Sequence, residues 1–183
     1  IVIYLFLADG FEEVEAVTTI DYLRRAGIIV TTVGIGGKSI RGAHDITVCA
    51  DIEEQQVKFN DELMGIILPG GIPGTPNLEQ SETVQSAIDF CVANNRLVAA
   101  ICAAPRILGH KNLLYGLDAT CYPGVEGECY GANIRKQRPV CCAKNFITGM
   151  SAGCATQFAA KIIEYFKGEA VAQNVLADVV WKL

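Results

Sequence analysis

The amino-acid sequence predicts an α/β fold, in which a mostly parallel sheet is covered by helices on both faces. Two observations support this prediction. Short apolar segments of strand length alternate with longer amphipathic segments, an order typical of parallel strands joined by helices. The segments at residues 1–7 and 97–101 are also apolar throughout, as is usual for strands buried on both faces.

Length and composition limit the possible classes of protein. A chain of 183 residues suits one domain, and we expect a single domain over residues 1–183. With 51% hydrophobic and 19% charged residues, the chain is not disordered as a whole. A net charge of −5 with no basic block argues against nucleic acid or anionic membrane as a partner.

The apolar segments are also too short for a membrane protein. No uninterrupted apolar run reaches the roughly 18 residues that span a bilayer. Residues 1–8 lack the basic flank and the small-residue cleavage site of a signal peptide. We therefore expect a soluble protein of the cytoplasm.

The first third of the chain contains the clearest βαβ unit. A strand is predicted over residues 1–7 and a helix over residues 12–26, followed by a β-branched strand over residues 28–33. The helix carries three glutamates in its first turn and two arginines in its last, which matches the helix macrodipole. Gly27 ends the helix.

The remaining elements follow the same alternation. Further strands are predicted over residues 46–50, 64–68, 97–101, 119–122 and 146–149. Further helices are predicted over residues 81–94, 155–167 and 169–181. Ser81 is a suitable N-cap for the first of these helices, and Gly168 separates the other two. The chain shows no internal repeat or linker.

The cysteines do not form a recognisable metal or redox motif. No two are spaced as C-x-x-C, and only His44 and His110 could add imidazole ligands, so no metal site is predicted. We expect most of them to be reduced thiols that pack as small hydrophobes. The eight are Cys49, Cys91, Cys102, Cys121, Cys129, Cys141, Cys142 and Cys154.

Cys102 is the main candidate for a nucleophile. It lies where the predicted strand 97–101 meets a turn of small residues and then a helical pattern. This arrangement is typical of a nucleophile elbow, which holds one side chain out of the carboxyl edge of a sheet. A thiol at a helix N-terminus is easier to ionise, so Cys102 is predicted to be the only markedly acidified thiol. The alternative is a buried cysteine in an ordinary turn.

Two further features are predicted at the same sheet edge. Gly70 and Gly71 follow the strand 64–68, and their backbone N–H groups could approach an oxyanion, although a plain tight turn would look similar. Glu15 follows the first strand, and a carboxylate near Cys102 could exchange a proton with it. The alternative for Glu15 is that it only complements the helix dipole, like Glu12 and Glu13.

Four motifs resemble the ThiJ/PfpI family, the superfamily of the parkinsonism-associated protein deglycase, in both order and spacing. They are ADGFEEVE at 8–15, RRAG at 24–27, LPGG at 68–71 and AICAAP at 100–105. The resemblance covers nearly the whole chain. Residues 15–21 and 102–105 look most like the YajL-like branch of that family.

The resemblance implies a fold and a site. The fold is a flavodoxin-like three-layer sandwich with a nucleophile elbow. The site has a reactive, oxidation-prone Cys102 that is hydrogen-bonded by a protonated Glu15. The oxyanion and substrate pocket involves Gly70, Gly71, Ala103 and Tyr122, with the amides of Gly71 and Ala103 as the oxyanion donors. No cofactor is implied.

The resemblance also implies a set of activities and partners. The first is a cofactor-free glyoxalase or protein deglycase, whose substrates are α-oxoaldehydes or their early adducts on proteins. The alternative is a non-enzymatic redox sensor or chaperone that uses the same cysteine under oxidative stress. A homodimer is implied, in which the first helix and residues 46–50 meet the partner and Cys49 lies near the interface.

One position departs from the family pattern. Many relatives place a histidine beside the nucleophile or before a proline in a later strand. Here Ala103 and Tyr122 occupy those positions. His44 and His110 are both expected to be structural. A Cys-His-Glu triad therefore cannot be assembled within the chain, which disfavours an intracellular peptidase or an amidotransferase-like hydrolase.

Overall fold

The computed structural model describes residues 1–182 and is organised around a seven-stranded sheet. Its strands are β1 (Val2–Leu7), β2 (Val30–Gly34), β5 (Ile52–Glu53), β6 (Leu63–Leu68), β7 (Leu97–Ile101), β10 (Val140–Ala143) and β11 (Phe146–Gly149). Across the sheet the order is β10-β11-β7-β6-β1-β2-β5, and every neighbouring pair is parallel except β10 with β11. Two short ribbons lie outside this sheet, one of β3 (Ser39–Arg41) with β4 (Thr47–Cys49) and one of β8 (Asp118–Ala119) with β9 (Asn133–Ile134).

Six α-helices within the described residues surround the sheet. They are α1 (Glu13–Arg25), α2 (Gly74–Gln80), α3 (Glu82–Ala93), α4 (Pro105–His110), α5 (Ala155–Lys167) and α6 (Glu169–Asp178). The first helix begins as its sequence predicts, because the Glu12 side chain accepts a hydrogen bond of 3.3 Å from the Val14 N–H group. None of the helices within residues 1–182 combines the length and the apolar character that a bilayer crossing requires.

The central strand β1 shows why the sheet is buried on both faces. Its side chains alternate between two hydrophobic cores: Leu5 and Leu7 pack with apolar residues of α1, α5 and α6, whereas Phe6 packs with those of α2, α3 and α4. All three side chains are fully buried. This is the predicted three-layer α/β sandwich, and the order β2-β1-β6-β7-β11 is that of a flavodoxin-like fold.

Two predicted strands differ from the structure. The strand predicted over residues 46–50 is the shorter β4, which pairs antiparallel with β3 outside the main sheet. The turn between them is closed by the Gly42 N–H group, which donates to the Ile46 carbonyl at 2.9 Å. The strand predicted over residues 119–122 is reduced to β8, because the Tyr122 N–H group donates to the carbonyl of Cys102 instead of continuing a ladder.

The last helix is also shorter than predicted. We expected it to extend to residue 181, but α6 ends at Asp178. Two residues later Val180 has φ = +54°, a left-handed conformation that ends a helix and is uncommon for a β-branched side chain.

The sheet topology determines where a ligand can bind. Strands β6 and β7 are parallel neighbours, and β6 is also parallel to β1, so their carboxyl ends meet at one edge. The strand order reverses between β1 and β6, and in open α/β sheets ligands bind at such a switch point. Residues that follow these three strands are therefore the candidates for a functional site.

Candidate active site

Cys102 follows β7 directly and has a strained backbone conformation. Its φ is +66°, in the left-handed region that non-glycine residues rarely adopt. Two hydrogen bonds stabilise this conformation: the Cys102 N–H group donates to the Gly149 carbonyl at 2.9 Å, and the Cys102 carbonyl accepts from the Tyr122 N–H group at 2.8 Å. The thiol is partly buried. This is the geometry of a nucleophile elbow, as predicted.

Glu15 reaches the same place from the first turn of α1. Its carboxyl is only 1% exposed, and its Oε2 atom accepts a hydrogen bond of 2.8 Å from the Gly70 N–H group. The carboxyl is also hydrogen-bonded to the Cys102 thiol. Burial raises the pKa of Glu15 to about 7, although the hydrogen bonds with Cys102 and Gly70 act in the opposite direction. The Oε1 atom is buried and has no hydrogen-bond partner in the protein.

The prediction that Cys102 is an acidified thiol is wrong in this structure. Burial raises its pKa, and the charge and the hydrogen bond of Glu15 raise it further. The N–H groups of Ala103 and Gly71 act on the sulfur and lower the pKa, but by less. The dipole of the following helix, α4, stabilises a thiolate at Cys102 only weakly, because this helix has only 6 residues.

The two groups therefore titrate together. A buried carboxylate and a buried thiolate in contact repel each other, so the pair carries one negative charge much more easily than two. When Glu15 holds the proton, its O–H group can donate to the sulfur. When Glu15 is ionised, Cys102 stays a thiol. Either group can thus pass a proton to the other without water.

The glycines after β6 allow the three strand ends to approach closely. A Cβ atom on Gly70 would lie 2.6 Å from the Cys102 Cβ atom and 2.8 Å from Oε2 of Glu15. Gly71 has φ = +97°, and a Cβ there would lie 2.4 Å from the Glu12 nitrogen. The Gly70 N–H group donates its hydrogen bond to Glu15, so it is not free to stabilise an oxyanion. This differs from the expectation from the sequence. The amides of Gly71 and Ala103 act on the sulfur.

The other two glutamates of α1 have different roles. Glu13 is 5% exposed, and its Oε1 atom accepts from the His44 N–H group at 2.7 Å and from the Ile46 N–H group at 3.3 Å. Burial alone would raise the pKa of Glu13, but a hydrogen bond from its own backbone N–H group, together with the bonds from His44 and Ile46, outweighs burial and lowers the pKa. This anchor for the loop that carries His44 could not be predicted from the sequence, because the partners are 31 or more residues away and no local pattern links them.

Within the described chain, Glu12, Glu13 and His44 form the group with metal-ligand geometry. Their ligand atoms lie within 4.8 Å of one another. The Nδ1 atom of His44 is 3.0 Å from Oε2 of Glu13 and 3.4 Å from Oε2 of Glu12, and these contacts, above all with Glu13, raise the pKa of the imidazole. The imidazole is 69% exposed. The same atoms are thus already used to hold the loop on α1.

Neither histidine contacts Cys102. His110 is bound by Glu79 and Glu128, with Nε2 at 3.1 Å from the Glu128 carboxylate. Tyr122, where the sequence resemblance led us to expect a histidine, contacts the elbow through its backbone, while its side chain is 49% exposed. The structure therefore brings together Cys102, Glu15, Gly70, Gly71 and Ala103 and adds Tyr122 at the margin.

The fold and this arrangement define a class: flavodoxin-like proteins with a cysteine at a nucleophile elbow and a buried glutamate against it. Residues 2–165 match the DJ-1/PfpI family. The chain belongs to that family, which confirms the resemblance found in the sequence, while the YajL-like branch stays a prediction.

Similar proteins occur in several animals. The chain is 32% identical over 181 residues to the Parkinson disease protein 7 homolog of Danio rerio, covering 97% of this chain and 96% of the relative. It is 33% identical over 173 residues to the protein dj-1beta of Drosophila melanogaster, with 93% and 92% covered. A glutathione-independent glyoxalase of Caenorhabditis elegans, DJR-1.2, is 29% identical over 172 residues, with 92% and 89% covered.

Solved structures show the same fold. The oxidised DJ-1 of Toxoplasma gondii superposes with a TM-score of 0.93 at 30% sequence identity and covers 100% of both chains. The DJ-1beta of Drosophila melanogaster gives a TM-score of 0.92 at 31% identity, covering 100% of this chain and 98% of the other.

Replacing Gly70 with alanine should destabilise the protein. The added methyl group must displace Cys102 or Glu15, and such overpacking costs about 1–3 kcal/mol. Gly127→Ala is the matched control, because a Cβ at that position meets nothing within 4 Å. Urea unfolding of both variants measures the difference. Equal free energies of unfolding would contradict the close approach at Gly70.

The raised pKa of Glu15 should make stability depend on pH. The folded state holds this proton more tightly than the unfolded chain, so the associated stability is complete below about pH 4.5 and is lost as the pH rises to about 7. The loss is on the order of 3 kcal/mol for a shift of this size. The Glu15→Gln variant has no proton to lose at this position and should not show this loss of stability.

The measurement is urea unfolding of the wild type and of Glu15→Gln between about pH 4 and pH 8. Subtracting one profile from the other removes the titration of all other groups. A difference that stays constant over this range would show that Glu15 ionises normally.

Proposed function

We propose that this protein is a cysteine-dependent, cofactor-free enzyme of the glyoxalase and protein deglycase type, acting on α-oxoaldehydes or their early adducts. The observation that carries the proposal is the hydrogen bond between the buried Glu15 carboxyl and the Cys102 thiol at the elbow. It supplies a nucleophile and a proton carrier in contact, which addition to a carbonyl requires.

The first step is addition of the thiol to the aldehyde. Glu15 takes the thiol proton while the Cys102 sulfur forms a bond to the aldehyde carbon. The carbonyl oxygen becomes negatively charged, and the N–H groups of Gly71 and Ala103, which act on the sulfur, would stabilise this charge. Return of the proton from Glu15 to this oxygen completes a hemithioacetal.

The second step moves a proton between two carbons. Glu15 removes the hydrogen on the thiol-bearing carbon, giving an enediol, and returns it to the neighbouring carbon, which leaves a thioester. Water then cleaves the thioester to a 2-hydroxy acid and restores the thiol. In sum, one α-oxoaldehyde and one water give one 2-hydroxy acid, with no external redox partner. A carboxyl with a pKa of about 7 can both accept and donate protons at neutral pH.

An early protein adduct would enter the same sequence. In a hemiaminal the former aldehyde carbon is bonded to a protein amine. The Cys102 sulfur would form its bond to this carbon as the carbon–nitrogen bond breaks, and Glu15 would return the thiol proton to the amine. The product is the same hemithioacetal. The partly exposed position of Cys102 is compatible with such a substrate.

A second function is supported by the same thiol. The oxidised DJ-1 of Toxoplasma gondii is a structural relative, and Cys102 is partly exposed beside a carboxyl that can donate a hydrogen bond to an oxidised sulfur. We propose a redox sensor or chaperone as the alternative, in which an oxidant converts Cys102 to a sulfenic and then a sulfinic acid. Peptidase or amidotransferase chemistry has no support, because neither histidine contacts Cys102.

Turnover of methylglyoxal by the purified protein separates the two functions. Cys102→Ser should abolish lactate formation, and Glu15→Gln should lower it by at least about 100-fold, the usual effect of losing an acid–base group. The matched control is Glu82→Gln, since Glu82 lies in the first turn of α3 and has only a helix-dipole role. No turnover by the wild type would reject the enzyme and leave the sensor.

We further propose that the protein forms a homodimer and resides in the cytoplasm. Apolar side chains are exposed in both predicted contact regions, with Val14, Val17 and Ile46 each about half exposed, and Cys49 is also exposed. All eight cysteines are free, which suits a reducing compartment.

The homodimer gives a direct prediction. Light scattering of the wild type should report the mass of two chains, and Val17→Glu should reduce it to one, because a charge would be buried at the interface. Tyr115→Glu changes an exposed aromatic residue outside the predicted interface and should leave the dimer intact. A wild type with the mass of one chain would refute the proposal.

A further inference from the structure

Glu12, Glu13 and His44 form a cluster of polar side chains that the proposed function does not use. The two glutamates stand at the start of α1, and His44 lies in the turn between β3 and β4. Each residue offers one ligand atom, a carboxylate oxygen or a ring nitrogen, and these atoms lie within 4.8 Å of one another. The cluster contains neither Cys102 nor Glu15, so it is distinct from the candidate active site.

The distances from the imidazole are those of ligands around one metal ion. The Nδ1 atom of His44 is 3.0 Å from Oε2 of Glu13 and 3.4 Å from Oε2 of Glu12. Two ligands that bind zinc tetrahedrally, each about 2.0–2.1 Å from the ion, are about 3.3 Å apart. Both distances are therefore close to the value that a shared zinc ion requires.

Backbone N–H groups hold both carboxylates with one oxygen toward the imidazole. Oε1 of Glu12 accepts a hydrogen bond from the Val14 N–H group at 3.3 Å. Oε1 of Glu13 accepts from the N–H groups of His44 and Ile46. In each carboxylate the second oxygen, Oε2, is then the atom near Nδ1 of His44. Metal ligands are usually oriented in this way, by hydrogen bonds to the atoms that do not bind the ion.

Charge and exposure at the cluster also suit a divalent cation. Two carboxylates beside one neutral imidazole carry two negative charges. The guanidinium of the nearby Arg41 is paired with Asp45 at 2.8 Å, so it is engaged elsewhere. Glu13 is buried, whereas the imidazole of His44 is 69% exposed. Water can therefore approach the exposed side of the cluster and complete a four-coordinate site.

We propose that Glu12, Glu13 and His44 form a zinc site, with Oε2 of each glutamate, Nδ1 of the histidine and one water as ligands. Zinc binds imidazole nitrogen together with carboxylate oxygen, whereas magnesium and calcium favour oxygen ligands. The contact between Nδ1 and the Glu13 carboxylate requires a hydrogen on Nδ1. Zinc would take the place of this hydrogen, which leaves as a proton, and the imidazole would hold its hydrogen on Nε2.

The ion would have a structural role and would take no part in the chemistry of Cys102. It would fasten the turn between β3 and β4 to the start of α1. This start is joined to the candidate active site, because the Glu12 N–H group donates to the Gly70 carbonyl at 2.9 Å and the Gly70 N–H group orients Glu15. No spacing motif in the sequence links the ligands, since His44 follows Glu13 by 31 residues.

The histidines provide a specific probe of this site, because the chain contains only two of them. Isotopically labelled, reduced protein is titrated with zinc at buffered free concentrations, and the imidazole nitrogens are followed by NMR spectroscopy. The Nδ1 signal of His44 should move to the position of a metal-bound nitrogen, while Nε2 keeps its hydrogen. His110 should not change, since its two nitrogens contact Glu79 and Glu128. Magnesium should move neither histidine.

Glu12→Gln tests the ligand set and preserves the helix cap, because the amide oxygen of glutamine can still accept from Val14. Losing a group that merely orients a metal ligand already lowers the affinity by about 10–100-fold. Loss of the Glu12 ligand should therefore raise the free zinc needed to move the His44 signal by at least about 100-fold. Glu82→Gln is the matched control, since it removes the same charge from the first turn of α3 and should leave the zinc dependence unchanged.

Three outcomes would overturn the proposal. If excess zinc leaves the His44 nitrogens unchanged, no ion binds there. If Glu12→Gln and the wild type respond at the same free zinc, the ion binds the exposed imidazole alone. Cys102→Ser should respond like the wild type, and loss of the His44 response in this variant would place the ion at the thiol instead.

Discussion

The contact between the Glu15 carboxyl and the Cys102 thiol is the constraint on which the rest of the site depends. Each group comes from a different strand end, and the Gly70 amide from a third strand end fixes the orientation of the carboxyl. Removal of water from this contact makes one charge acceptable and two very costly. The folded state must therefore hold the three chain segments together, although the charge that Glu15 and Cys102 share would be more stable in water.

The layers and the nucleophile elbow could be predicted because their signals are local. A continuous apolar strand, a change to small residues and a helical pattern lie within about a dozen residues of Cys102, and each has a direct structural cause. The helix α1 was equally clear from its acidic start and basic end. For such elements the tertiary structure agrees with the secondary structure that the local sequence favours.

The parts that could not be predicted depend on distant residues. Without the family resemblance, the sequence left two roles open for Glu15, a proton carrier for Cys102 or a helix-dipole carboxylate like Glu12 and Glu13. The position of β6 against α1 separates these roles in the structure. The direction of the pKa shift at Cys102 depends on burial, which outweighs the short helix that suggested the opposite. The short ribbon of β3 with β4 follows from a turn held by Glu13.

The first turn of α1 uses its three glutamates in three directions: Glu12 caps the helix, Glu13 holds the His44 loop and Glu15 meets Cys102. Successive residues of a helix are rotated by about 100° about its axis. Inserting or deleting one residue between β1 and Glu15 would turn all three carboxyls away from their partners at once. Homologous sequences should therefore vary in residue type along this segment far more readily than in length.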